Sequence, residues 1–250
     1  MDTSTTMPTE YSRQSPYSDP GQHAGLLAAV APDRASVSAA ARAAIVHYRS
    51  GLEPSDDQRG DPDRRWLTSI LDAAVARQPG PIDAPRAAAR QVTGCCRDHT
   101  LLALGVLREH GVPARSRVGF AGYFTPSFHH DHVVVEEWDG QRWVRWDPEL
   151  EPGSEWDFDP RDMPTGPAAP FQTAAEAWRA IRAGEADPTR YGVDPSLPHL
   201  GGKDFVRDYV LLEVAHRQCD ELLLWDLWGP MLQTGLPGVP ELAARAGLQV

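Results

Sequence analysis

Apolar residues recur at helical spacing along much of this chain and alternate in its middle. From Ser36 to Tyr48 (SVSAAARAAIVHY), Ala41, Ala44, Ile45 and Tyr48 form one stripe, with a serine cap before it and Gly51 beyond it, and the spacing predicts a helix. Leu26 to Val30 fits a shorter apolar turn or helix. Asp63 to Arg77 turns Trp66, Ile70, Leu71, Ala74 and Val75 inward until Gly80-Pro81 breaks the pattern. A central helix is expected near Cys95 to His110, with Thr100, Ala103, Leu104 and Leu107 on the side of Cys96. Gly111 ends it and Pro113 prevents its continuation. Thr173, with Glu176 three residues on, makes a capping box for a helix that stops at Gly184. Lys203 to Asp226 predicts one or two packed helices. Ala84 to Val92 fits either a helix or an extended lead-in, and Glu149 to Pro170 reads as an acidic, proline-rich irregular stretch.

Between Ala114 and Trp146 the period changes from helical to alternating. Ala114 to Phe120 (ARSRVGF) reads as a strand, and Gly122 to His130 as an aromatic loop. Asp131 to Glu149 (DHVVVEEWDGQRWVRWDPE) reads as two strands about Asp139-Gly140, a strong hairpin signal. Taken as a two-residue turn, it sets Trp138 opposite Gln141, Glu137 opposite Arg142, Val135 opposite Val144 and His132 opposite Asp147. Opposed side chains share a face with Cβ atoms roughly 4.5–5.5 Å apart, so an imidazole should lie beside a carboxylate. Helices before and after a short antiparallel sheet make an α+β fold.

A cysteine at the start of the central helix supplies a third group. A helix N-terminus favours a thiolate, Arg97 adds positive charge nearby, an imidazole can take the thiol proton, and a carboxylate can hold that imidazole in one tautomer. A backbone N–H at the helix start is a natural oxyanion donor, with Gln91 as a candidate second one. Trp143, His99, His130 and Tyr123 are candidate substrate-lining residues; Phe124, Phe128, Trp225 and Trp228 could also wall a cleft or fill a core. Asp98 suits the first helical turn or an anchor for Arg97 or Arg115. An alternative use of the run His129 to His132, with Cys96 or Asp147, is a metal site, although the spacing matches no standard zinc motif.

Gly94-Cys95-Cys96-Arg97-Asp98, the apolar helix running to Gly111-Val112-Pro113, His132 on a strand and Trp146-Asp147-Pro148 together resemble the core of the transglutaminase-like superfamily. The resemblance implies a papain-like or transglutaminase-like core in which the nucleophile helix packs on the sheet carrying the histidine and the aspartate. It selects Cys96, before Arg-Asp, over Cys95; His132 over His129 and His130; and Asp147 in its strand-end Asp-Pro. The late stretches FDPRDMP, TAAEAWRAIRAGEADP and LLLWDLWG are similar to those of small bacterial members. The family spans cross-linkers, peptidases, amidases and amide-forming enzymes, so it leaves the substrate open.

The net charge of −11 lacks any basic cluster, which argues against a nucleic-acid partner. No run approaches the ~18 apolar residues of a membrane span, and the first residues lack a secretion signal. Three cysteines, two of them adjacent, do not read as a disulfide framework and fit a reducing cytoplasm. Residues 1–22 read as a disordered tail, and 23–250 as one domain with a core at about 85–150 and a C-terminal helical extension at 171–250. The expected activity is thiol-dependent acyl transfer from a peptide or small-molecule amide or related acyl substrate, with water or an amine as acceptor and neither cofactor nor metal. A metal-binding protein and a non-catalytic binding module on the same fold are the alternatives.

Overall fold

The computed structural model describes residues 9–227 and 231. The chain opens with α1 (Ala24–Ala28), α2 (Arg34–Ala44), the short strand β1 (Ile45–His47) and α3 (Leu67–Arg77). Strand β2 (Val92–Gly94) leads directly into α4 (Cys96–Glu109). An antiparallel meander follows: β3 (Ala114–Thr125), β4 (Phe128–Trp138) and β5 (Trp143–Trp146). Strand β6 (Phe171–Thr173) pairs with β3, α5 (Ala174–Ala183) follows, β7 (Tyr191–Gly192) pairs parallel with β4, and α6 (Lys203–Arg217) comes last. The fold is α+β, with α4 across the antiparallel sheet.

Every residue of α4 from Cys96 to Arg108 is buried. A helix covered on all sides must be packed all round. Leu101, Leu102 and Leu104 share a core with Leu27, Val37, Leu67 and Ile70 from α1 to α3, and with Val135 and Trp146 of the sheet. Gly105 permits the closest approach, since a Cβ there would lie 2.3 Å from Leu67 Cδ2. A second core joins Val118, Phe120 and Val133 to Phe205, Val206, Tyr209 and Leu212 of α6. Val134, Met163 and Phe171 form a third, smaller cluster.

Several local expectations change. The helix expected through Tyr48 stops at Ala44, because Ile45-Val46-His47 pairs parallel with β2 instead. Its cap is Asp33, whose side chain accepts from Ser36 N. The aromatic stretch expected as a loop is strand on both sides of a turn at Pro126-Ser127. The second hairpin has a four-residue loop, pairing Trp138 with Trp143 and Val135 with Trp146. The reason lies in Asp139: its carboxylate accepts from the N–H groups of Gln141 and Arg142, each at 2.8 Å, and Gly140 takes a φ of 100°. That Asx-type closure lengthens the loop and moves the register by two. A shift of two preserves side-chain parity, so the histidine and aspartate stay on one face although they are no longer directly opposed.

The tail is a further correction over its described part. Ser15 and Ser18 are buried; Ser15 Oγ donates to Glu221 Oε2 at 2.6 Å, and Arg108 Nη1 donates to Ser18 Oγ at 2.8 Å. Arg108 and Glu221 form a buried ion pair at 2.9 Å; one serine hydroxyl bonds each partner, and Arg108 also donates to Ala114 O and Cys219 Sγ. Residues 1–8 lie outside the described residues, as do 228–230 and 232–250 of the C-terminal extension.

Candidate active site

One edge of β4 is covered by β3 throughout the relevant stretch. The other is covered by β5 from Val135 to Trp138 and by β7 at His129 and His130. Residues 131–134 lie in the gap between them, and the side chains of both Asp131 and His132 reach the same chamber. Strand β2, held by β1, delivers the N-terminus of α4 to this chamber. The cavity has a volume of about 260 Å³, and Cys96, His132, His47 and Glu149 line it.

His132 and Asp147 are both buried, and Nε2 of the imidazole lies 2.7 Å from Asp147 Oδ2. The carboxylate is held on every side. Tyr123 donates its hydroxyl to the same Oδ2 at 2.7 Å, and the Glu149 backbone N–H donates to Oδ1 at 2.9 Å. Asp147 N donates to Pro160 O at 2.8 Å, fixing the backbone just past β5. Burial works against the charge on both partners, yet the pair prevails. The His132 pKa is raised, because burial is outweighed by the charge and hydrogen bond of Asp147, with Glu149 and Asp131 adding to it. Asp147 is lowered, burial being outweighed by His132, Tyr123 and the Glu149 N–H. With Nε2 donating to a carboxylate, the neutral ring leaves Nδ1 bare to accept a proton.

Cys96 is the first residue of α4 and is buried. Burial pushes its thiol well above the ordinary range, with the neighbouring Cys95, Glu149 and Asp131 in the same direction. The expected help from Arg97 is absent. Its guanidinium turns away, donating to the carbonyls of Glu221 and Arg65 and to Asp98 Oδ1. Among the described residues, no hydrogen bond joins the Cys96 sulfur to His132. Asp98 caps the helix instead, its Oδ2 accepting from Cys95 N at 2.9 Å.

The transglutaminase-like superfamily profile matches residues 64–148, a segment that holds Cys96, His132 and Asp147 in order. No curated protein matches the sequence. A solved chain from Cytophaga hutchinsonii, described as a "Putative Cysteine Protease", is similar at 17% identity and a TM-score of 0.36, over 56% of this chain and 41% of that one.

Around Cys96, His132 and Asp147, the other candidates separate. Gln91 is not an oxyanion donor: its amide nitrogen donates to the carbonyls of Arg42 and Ala43 at 2.6 and 3.2 Å. His99 is not among the lining residues; it is buried, with Nδ1 donating to Cys95 O. Trp143 stacks under Arg115, 3.9 Å from its guanidinium, and against Trp138 and Tyr11, away from the chamber. Tyr123 supports Asp147 rather than lining the cavity. His130 does line it, as does Phe124. A metal cluster through His129 and His130 is not formed among the described residues. His129 stacks on Tyr191, and both His130 nitrogens are engaged, with Val193 O and Thr125 Oγ1. The described group closest to a ligand set is His132, Asp147 and Glu149, with ligand atoms within 4.8 Å of one another.

Trp225 lines a second cavity of about 470 Å³ that shares Tyr48, Asp131 and Leu224 with the first, whereas Trp228 lies outside the described residues. Sequence reading missed His47, Tyr48 and Glu149 as lining residues. The β-branched and aromatic run Ile45-Val46-His47-Tyr48 was the available signal for a strand there. No helix among the described residues is long and apolar enough to cross a membrane.

Proposed function

We propose that this chain is a cysteine-dependent acyl-transfer enzyme acting on an amide or related acyl group. Cys96 is the nucleophile, His132 the general base and then acid, and Asp147 the group that orients the imidazole. The observation that supports this most is the buried His132–Asp147 hydrogen bond of 2.7 Å at the chamber that Cys96 also lines. The match of residues 64–148 to the transglutaminase-like superfamily supports the reaction class and leaves the acceptor open.

The raised thiol shapes the first step. In the resting enzyme Cys96 is a neutral thiol, so His132 Nδ1 takes its proton as the sulfur attacks, rather than holding a ready-made ion pair. The sulfur–carbon bond forms, the imidazolium gives that proton to the leaving amine, and a thioester remains for water or an amine to resolve. The second cavity, reached past Tyr48, Asp131 and Leu224, has room for an apolar part of the acyl donor.

Intact-mass measurement after incubation with candidate amides, thioesters and activated esters tests the reading. A covalent acyl adduct should appear on the wild-type protein and be absent from Cys96→Ala. An adduct that persists in Cys96→Ala, or moves to Cys95, would sink it.

A further inference from the structure

Attack on an acyl carbon places negative charge on the carbonyl oxygen, and two aligned donors are ordinarily needed to hold it. Cys96 N–H, at the first position of α4, has no intrahelical acceptor and supplies one. Gln91 cannot supply the other, because its amide is committed to backbone carbonyls.

His47 stands in the right place. The parallel pairing of β1 with β2 sets it against Gly94, two residues before the nucleophile, and it lines the chamber together with Cys96 and His132. Its ring is held in one tautomer. The Arg49 backbone N–H donates to Nδ1 at 3.0 Å, and a backbone N–H can only donate, so Nδ1 is bare and the proton of the neutral ring is on Nε2. The ring is also held in one orientation, stacked on Tyr48 at 4.8 Å between centroids. Among the described residues Nε2 has no hydrogen-bond partner. Burial, with His99, His132 and Arg49 and against the opposing pull of Glu149, brings its pKa down to about 4. The ring is therefore neutral wherever His132 works as a base.

We propose that His47 Nε2–H and Cys96 N–H form the oxyanion hole of this enzyme, a role that rests on the acyl-transfer reading above. When the Cys96 sulfur bonds to the carbonyl carbon, the carbon–oxygen π pair moves onto the oxygen, which accepts from both donors. When the intermediate collapses, that pair re-forms the carbonyl, the bond to the leaving group breaks, and the proton the leaving group takes comes from His132. His47 keeps its proton throughout. A neutral imidazole suits this role because it polarises the oxygen without a positive charge that would compete with His132.

The test uses the full chain, p-nitrophenyl acetate and iodoacetamide. Acetylation builds an oxyanion; alkylation displaces iodide at a saturated carbon and builds none. His47→Ala should slow acetylation of Cys96 by roughly 10²–10³-fold while alkylation stays within about twofold of wild type. His47→Gln, which keeps an N–H donor, should recover part of the loss. Acetylation of His47→Ala within about threefold of wild type would overturn the assignment while leaving Cys96 as nucleophile. A parallel fall in both reactions would overturn it too, since His47 would then be shaping the thiol or the chamber. If wild type and Cys96→Ala release nitrophenol alike, the acyl-transfer reading itself fails, and the oxyanion assignment with it.

Discussion

Strand β4 carries two buried acid–base clusters four residues apart, built on opposite principles. At Glu136, Arg115 and Arg145, its direct partners on the neighbouring strands, and Arg117 surround one carboxylate at 2.7 to 2.9 Å. Burial alone would raise the Glu136 pKa, but the three guanidinium groups bring it down to about 2. At His132, the carboxylate of Asp147 meets an imidazole and a tyrosine hydroxyl instead, and Arg97 points elsewhere. Guanidinium does not lose its proton in the working range, so the first cluster is locked. Imidazole does, so the second can pass a proton. The same strand therefore holds a locked cluster at one position and a titratable one at the other, and the nature of the cation makes the difference.

The largest effects should separate the two clusters. Asp147→Asn should lower acyl transfer by roughly 10³–10⁴-fold with little change in melting temperature, because the imidazole loses its orienting charge while the shape is kept. Its acid limb in the pH–rate profile should move to lower pH. Asp147 raises the His132 pKa, His132 must be neutral to act as base, and the amide removes that raise. Glu136→Gln should do the reverse, costing about 3–5 kcal/mol in a denaturant titration while the folded variant still forms the Cys96 adduct. If Glu136→Gln loses chemistry before stability, the division drawn here is wrong.

Removal of residues 1–20 should come next in size, because it strips Ser15 and Ser18 from the buried Arg108–Glu221 pair. A loss of about 2–3 kcal/mol is expected by urea unfolding, and an unchanged midpoint would mean the pair is satisfied without them.

Acid titration of stability sharpens the comparison further. The folded Glu136 pKa is depressed from 4.5 to about 2. Its contribution, on the order of 3 kcal/mol, is present above the unfolded value and lost as pH falls through the window between the two. Glu136→Gln should flatten that part of the stability curve; an unflattened curve would assign the acid loss to other carboxylates.

The smallest effect expected is that of Tyr123→Phe. Without the hydroxyl, the Asp147 carboxylate gives more of its charge to His132. The acid limb of activity should move to higher pH, with a rate loss on the order of tenfold or less. A pure loss of rate with a fixed limb would make Tyr123 only a packing residue.

Much of this was legible along the chain. The capping box at Thr173 and Glu176 and the stop at Gly111 are local signals, and both stand in the folded protein. The hairpin illustrates where local reading strains. The Asp139-Gly140 turn was visible, but its closure through the Asp139 carboxylate, which moved the register by two, depends on side-chain hydrogen bonds that the dipeptide does not reveal. His132 and Asp147 still meet because alternation has a period of two.

The sequence by itself determined the helix that starts at Cys96, the strand that bears His132 and the shared parity of His132 and Asp147, because periodicity, caps and alternation act over a few residues. Tertiary structure alone decided the rest. It ended a helix at Ala44 to pair His47 with Gly94, turned Arg97 away from the thiol, committed Gln91 to backbone carbonyls, and drew Ser15 and Ser18 onto Glu221 and Arg108. Each of those outcomes joins groups tens of residues apart or more. A buried donor or acceptor takes whichever partner the packed chain brings within reach, and spacing along the sequence carries no record of that choice.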